Sequence, residues 1–390
     1  MSVAHAVLHA LSITGSMTWE ITWALILGFL LSAIVQAVVR KETVVRLLGD
    51  DRPRTLTLAS LFGMASSSCS YAAVALARSL FRKGANFTAA MAFEIASTNL
   101  VVELGVILAL LMGWQFTLAE FVGGPVMIVV LALLFRLTLR SRLLSEAREQ
   151  AARGLAGSME GHAAMDMSVG GTGSFWRRLL SPRGFTSVSH VFTMEWAAIL
   201  RDLVLGLLIA GAIAAWVPDS FWQNFFFAGH PLLSKVWGPL IGPVVALISF
   251  VCSIGNVPLA VVLWKGGISF GGVVAFIFAD LLILPILSIY RKYYGLRTAL
   301  YLAATFYAAM VAAGYVVELL FGGLGLVPDQ ADAKIPMEGV SWNYTTFLNI
   351  AFLLLAAALL VRFFRTGGRR MLAMMGGAPD AMDENHHEHG

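Results

Sequence analysis

Two stretches, "SSSCSYAAVALARSLFRKGANFTAAMAF" (66–93) and "SFVCSIGNVPLAVVLWKGGISFGGVVAF" (249–276), decide the reading of this chain. Shifted by 183 residues without gaps, they place Ser66, Cys69, Ser70, Val74, Leu76, Ala77, Gly84, Phe87, Ala92 and Phe93 on identical residues. The match ends with Ala96 on Ala279. Ala and Val are common here and count for little. The paired Cys-Ser and Gly-x-x-Phe count for more, because Cys69 and Cys252 are the only cysteines in 390 residues. Just upstream, "LGFLLSAIVQAVV" (27–39) resembles "LGLLIAGAIAAWV" (205–217), so the repeat reaches beyond the quoted stretches.

The composition sets the medium. The chain is 58% hydrophobic and 13% charged, and its mean hydropathy is +0.78. Soluble domains carry roughly 25% charged residues. The apolar residues fall into blocks at 19–39, 56–81, 87–112, 117–139, 195–217, 237–264, 268–290, 298–321 and 344–364. Each is long enough for a transmembrane helix, which takes about 20 residues. An all-α polytopic membrane protein follows. The start, "MSVAHAVLHALSITG", lacks the basic flank of a signal peptide, and two cysteines do not make a disulfide framework.

Charge placement separates two topologies. With nine full crossings, Lys and Arg divide 13 to 14 between the two sides, against the positive-inside bias. With 56–81 and 237–264 as re-entrant hairpins, the division becomes 24 to 3, the exceptions being Lys235, Lys265 and Lys334. The expected order is then helix, re-entrant hairpin, helix, helix, twice, with inverted topology. The first repeat covers 19–139, a cytoplasmic loop 140–194, the second repeat 195–321, one extra helix 344–364 and a cytoplasmic tail 365–390. The N-terminus is placed outside and the basic C-terminal face inside a bacterial inner membrane.

Inverted repeats with broken segments place substrate near the bilayer midplane, between the repeats. The hairpin tips are expected there. Ser68, Cys69, Ser70 and Tyr71 mark one tip; Cys252, Ser253 and Asn256 mark the other. Serine hydroxyls suit such turns because they satisfy backbone groups freed by a break. Two readings of the cysteines stand: soft ligands, or small buried packing residues. Intramembrane ionisable groups are functional candidates by default. Glu94 and Asp280 are therefore candidates for coupling, with Ser97 and Asn99 beside Glu94. Arg78 could instead neutralise Glu94. Glu120 has no clear role, and Glu318 reads as interfacial.

At these residues the chain resembles the bacterial predicted-permease family that includes the ArsP-type organoarsenical efflux permeases. "CSIGNVPLAVVLWKGGISFGGVVAFIFA" fits the second-half form of that family. The first half departs from it: Tyr71 stands for a second Cys, Ala72 for Gly and Ala75 for Pro. The resemblance covers about 60–320 and implies a permease, an exporter of a small thiophilic species. A permease for a small anion or sulfur compound, and an intramembrane enzyme or assembly subunit, are the alternatives. The 140–190 stretch and the tail hold His162, Met165, Met167, His386, His387 and His389, as soft-metal ligands or as linker residues. There is no nucleotide-binding motif, and no cofactor or nucleic-acid partner is expected. The partners implied are the bilayer and a small-molecule or ion substrate.

Overall fold

The computed structural model describes residues 3–38, 47–67, 70–152, 177, 179–249, 253–330, 342, 344–369 and 372. Among them the chain is all-α. The first repeat holds α1 (Val3–Val38), α2 (Pro53–Ser66), α3 (Ser70–Arg82), α4 (Phe87–Asn99), α5 (Val102–Leu111) and α6 (Trp114–Thr138). A further helix, α7 (Ser141–Ala152), follows it. The second repeat holds α8 (Pro182–Trp216), a short α9 (Asp219–Phe225), α10 (Pro231–Ser249), α11 (Ser253–Lys265), α12 (Phe270–Phe278), α13 (Leu284–Tyr294) and α14 (Leu296–Leu324). The last helix is α15 (Tyr344–Arg365). Among the described residues, four helical spans are long and apolar enough to cross a membrane, and up to six if each bent pair counts as one.

The hairpin helices are not among those spans. With 14 and 13 residues at about 1.5 Å each, α2 and α3 fall short of a hydrocarbon core about 30 Å thick. Their outer ends meet: the Asn86 amide after α3 donates to the Leu48 carbonyl before α2 at 2.7 Å. In the second repeat, the Ser234 hydroxyl at the start of α10 donates to the Gly267 carbonyl past α11 at 3.3 Å. Each pair therefore enters and leaves on one side.

Gly-x-x-Phe has a local cause. Gly84 and Gly267 take φ of +109° and +97°, a region open to glycine. At each, the helix ends in a Schellman turn. Ala85 and Gly84 donate to the Leu80 and Phe81 carbonyls; Ile268 and Gly267 donate to Leu263 and Trp264. Two residues on, a side chain caps the next helix. Asn86 accepts from the Thr88 amide at 2.8 Å, and Ser269 from the Gly272 amide at 3.2 Å. The following Phe87 and Phe270 then anchor an aromatic cluster at each hairpin base. Phe87 packs on Phe81 and on Tyr294 from the other repeat; Phe270 packs on Trp264 and on Phe116 from the other repeat.

Equivalent helices run antiparallel. Along α1 and α8, Trp216 Nε1 donates to the Ala6 carbonyl, Thr14 Oγ1 donates to the Leu207 carbonyl, and the Phe29 ring lies 5.2 Å from Trp196. Along α6 and α14, Gly123 sits by Val317 while Thr138 bonds Tyr301. Because α1 and α8 deliver the chain to opposite ends of the bundle, the two hairpins enter from opposite sides. The repeats are inverted.

Helix α1 bends for an identifiable reason. The α1 segments 5–16 and 21–31 meet at 45°. There Asn349 of α15 enters the backbone ladder: its Oδ1 accepts from the Trp23 amide at 2.8 Å and its Nδ2 donates to the Trp19 carbonyl at 2.6 Å. Trp23 and Trp19 are i and i−4 partners on one helical turn, so a side chain bonded to both lies in that turn of the ladder, a recognised cause of helix bending. Asn349→Leu should leave both groups buried beside an apolar side chain, at about 1–3 kcal/mol each before the helix straightens. The midpoint of thermal aggregation in detergent checks this, with Leu353→Ala on the exposed face of α15 as control.

The described residues of the 140–194 stretch are largely helical. Helix α7 packs on α3 and α13. Arg148 lies 4.8 Å from the Phe81 ring, and Gln150 Nε2 donates to the Lys292 carbonyl. Helix α8 begins at Pro182, capped by Ser181, whose hydroxyl accepts from the Gly184 amide at 3.0 Å.

Candidate functional site

The helices that follow the hairpins are both interrupted. Helix α4 ends at Asn99 and α5 resumes at Val102. Helix α12 passes through a 3₁₀ turn, Ala279–Leu281, before α13, and the two halves meet at 44°. Interrupted backbone inside a bundle exposes polar groups to the protein interior rather than to lipid. Both interruptions, and the start of α3, converge on Asp280.

Asp280 is fully buried. Its Oδ2 accepts from the Ser70 hydroxyl at 2.6 Å, and its Oδ1 accepts from Asn99 Nδ2 at 3.3 Å. Hairpin one of the first repeat and the α4 break are thus tied to the α12 break of the second. Asn99 Nδ2 also donates to the Thr98 hydroxyl at 3.0 Å. Glu94, one turn back on α4, accepts from the Tyr290 hydroxyl of α13. Its other oxygen, Oε2, has no partner among the described residues, and neither does Asn99 Oδ1.

Two glycines bring a third carboxyl to this junction. On α6, a Cβ at Gly124 would lie 2.4 Å from Leu100, in the first break. One at Gly123 would lie 3.0 Å from Phe278, just before the second. Glu120, three and four residues earlier, shares that face of α6. It is fully buried, within electrostatic range of Asp280, and both its carboxyl oxygens lack a partner among the described residues.

Of the residues proposed from sequence, Ser70, Asn99, Asp280 and Glu94 come together. Ser97 is buried, but its hydroxyl donates to the Glu94 carbonyl at 2.9 Å within its own helix. Asn256 is buried in α11. Ser68, Cys69, Cys252, His162, Met165 and Met167 lie outside the described residues, as do the side chains of Tyr71 and Ser253. Among the described residues no group of three or more His, Cys, Asp or Glu could hold a metal ion. Arg78 directs its guanidinium to the Ala151 carbonyl at 3.1 Å and to the Tyr293 ring at 4.4 Å, while Glu94 takes its bond from Tyr290. Glu318 is buried and accepts from the Gly271 amide at the α12 N-terminus at 2.6 Å. Tyr290 and Glu120 are the participants sequence reasoning did not single out. Glu120 carried a signal, as a lone acid in an apolar span.

Two inverted repeats with broken helices meeting at a buried polar junction define a membrane transporter. The chain belongs to the family described as "Predicted permease", which it matches over residues 6–319, both repeats included. It is 74% identical over 343 residues to "Putative permease Rv2963" of Mycobacterium tuberculosis, covering 88% of this chain and 84% of that one. It is 24% identical over 179 residues to "UPF0718 protein YraQ" of Escherichia coli, covering 46% of this chain and 45% of that one. No solved structure matches the chain. The protein is an integral membrane permease, and its substrate is a small molecule or ion.

Proposed function

We propose that this permease is a secondary-active exporter of a small thiophilic metal or metalloid species, or its organic adduct, in a bacterial inner membrane. Its tail, with 24 of 27 Lys and Arg on the same side, faces the cytoplasm. The cargo passes the junction between the repeats, Cys69 and Cys252 supply soft ligands, and Glu94 and Asp280 couple transport to an ion.

One observation carries this reading: Ser70, which follows Cys69 in sequence, donates to Asp280 of the opposite repeat. Any movement of one repeat against the other must remake that bond, as alternating access requires. Thiolates favour soft cations and trivalent arsenicals over hard ions. An anion carrier is the weaker reading. An anion needs donors, whereas Glu94 Oε2 and Asn99 Oδ1 are acceptors without a donor among the described residues.

The test is cargo accumulation in cells expressing the wild type or the Cys69→Ser/Cys252→Ser pair. The panel is trivalent methylarsenical, arsenite, Cu(I), Zn(II) and thiosulfate. One thiophilic cargo should fall with the wild type and return with the pair to the level of cells lacking the permease. Unchanged export by the pair would make the cysteines packing residues. Movement of thiosulfate alone would establish the anion reading.

A further inference from the structure

We infer that Glu120 is a proton-binding site of the transport cycle, exchanging its proton with Asp280 across the interface between the repeats. The inference rests on the reading of the chain as a coupled transporter, and it names the coupling ion.

The three buried acids at the junction differ in their partners. Asp280 accepts from Ser70 and Asn99, and Glu94 from Tyr290. Glu120 accepts from nothing among the described residues, although it is 0% exposed. A carboxylate without donors or a cation is the costliest group a protein interior can hold. A bound proton removes that cost, and a carboxyl so placed suits a step in which the proton arrives and leaves. Fixed donors at Asp280 keep that residue able to stand ionised while Glu120 is neutral.

The surroundings narrow the exchange to one neighbour. Among titratable side chains on helices packed against α6, Glu103 of α5 turns to α1, where a Cβ at Gly28 would lie 2.3 Å from it. Glu318 of α14 is held by the Gly271 amide. Tyr301, Tyr307 and Tyr315 bond to Thr138, the Leu240 carbonyl and the Val236 carbonyl. Arg136, at the far end of α6, pairs with Asp51 at 2.9 Å. Asp280 remains, with Glu94 and Tyr290 behind it. In the exchange, the O–H bond on Glu120 breaks as one forms on an Asp280 oxygen. One negative charge moves from Asp280 to Glu120, and nothing else is consumed. Glu120 belongs to the first repeat and Asp280 to the second, so relative motion of the repeats sets whether the exchange occurs.

The experiment combines infrared spectroscopy of the purified protein in lipid, titrated with pH, with flux into vesicles driven by a pH gradient. The flux probe is trivalent methylarsenical, with the other panel members in turn. In Glu120→Gln, one titrating carboxylic-acid absorption should disappear, and gradient-driven flux should be lost, since intramembrane ionisable groups mark proton relays. Exchange of probe without a gradient should persist. Glu120→Asp should keep a titrating absorption, which shows that the fold tolerates change at this position. Retention of every absorption in Glu120→Gln would overturn the inference. So would loss of the absorption with gradient-driven flux intact. If the absorption is lost but wild type moves no panel member, the cargo assignment fails while the proton site stands.

Discussion

Asp280→Ala is expected to abolish transport and to lower the thermal midpoint more than any other single change at the junction. The residue accepts two buried hydrogen bonds, from Ser70 at 2.6 Å and Asn99 at 3.3 Å. Alanine takes this acceptor from the buried Ser70 hydroxyl and leaves Asn99 Nδ2 with the Thr98 hydroxyl alone. An orphaned group costs about 1–3 kcal/mol, with more when the lost partner was charged. The two bonds also join three elements that are distant in sequence: the start of α3 and the breaks after α4 and α12. Losing them frees the hairpin tip from the opposite repeat. Asp280→Asn keeps the volume and one acceptor oxygen but sets an N–H against a donor. It should fold with a loss of about 1–3 kcal/mol and still fail to couple, because it cannot exchange a proton. A double-mutant cycle with Ser70→Ala decides whether the bond is shared. Coupled residues show an interaction energy of about 0.5–3 kcal/mol. Additive midpoints in detergent would mean that Ser70 and Asp280 act independently, and the link between the repeats would be lost as an explanation.

Much of this architecture was legible because it depends on residues that cannot be exchanged freely. Gly84 and Gly267 recur at the 183-residue shift because each takes a positive φ in the same Schellman turn. Phe87 and Phe270 recur because each seals a hairpin base against an aromatic from the other repeat. The charge bias favoured hairpins over nine full crossings, and the Leu48–Asn86 and Ser234–Gly267 contacts join the two ends of each hairpin. The helix breaks were less visible. "IASTNL" has no Gly or Pro, so nothing local stops the helix at Asn99. The stop is tertiary: Asn99 reaches Asp280, and Leu100 fills the space left by Gly124. The second break carried a signal in Pro285, at the start of α13. Tyr290 is the last residue of the apolar block 268–290, with the basic residues Arg291 and Lys292 beside it, yet its hydroxyl turns inward to Glu94. Helix α7 was hidden by polarity. Its apolar face is narrow, and it is held instead by Arg148 over Phe81 and by the Arg78 bond to Ala151. That bond also answers the sequence question about Arg78, whose partner lay in a stretch read as loop.

Gly314→Leu should cause a large loss of stability. Helices α12 and α14 approach through a pair of glycines. A Cβ at Gly314 would lie 2.7 Å from the Gly271 carbonyl oxygen and 3.1 Å from Pro239; one at Gly271 would lie 2.1 Å from the Gly314 carbonyl oxygen. The obstacles are backbone, which cannot rotate aside as a side chain can. Small residues at helix crossings let membrane helices gain van der Waals contact that lipid cannot supply. Overpacking a tight core costs about 1–3 kcal/mol and sometimes more. Leucine here meets two neighbouring helices at once, so the upper end or beyond is expected. Gly314→Ala should cost less, and Gly323→Leu, with nothing within 4 Å, should be near neutral. Thermal midpoints of the three variants in detergent rank them. The consequence reaches the site, because α12 carries Asp280 and is also held at its start by Glu318 on α14. Moving α12 away from α14 shifts Asp280 from Ser70 and Asn99. A Gly314→Ala protein that stays folded should therefore lose transport out of proportion to its stability. Parallel losses of transport and stability would show that the crossing only holds the bundle together and does not position the junction.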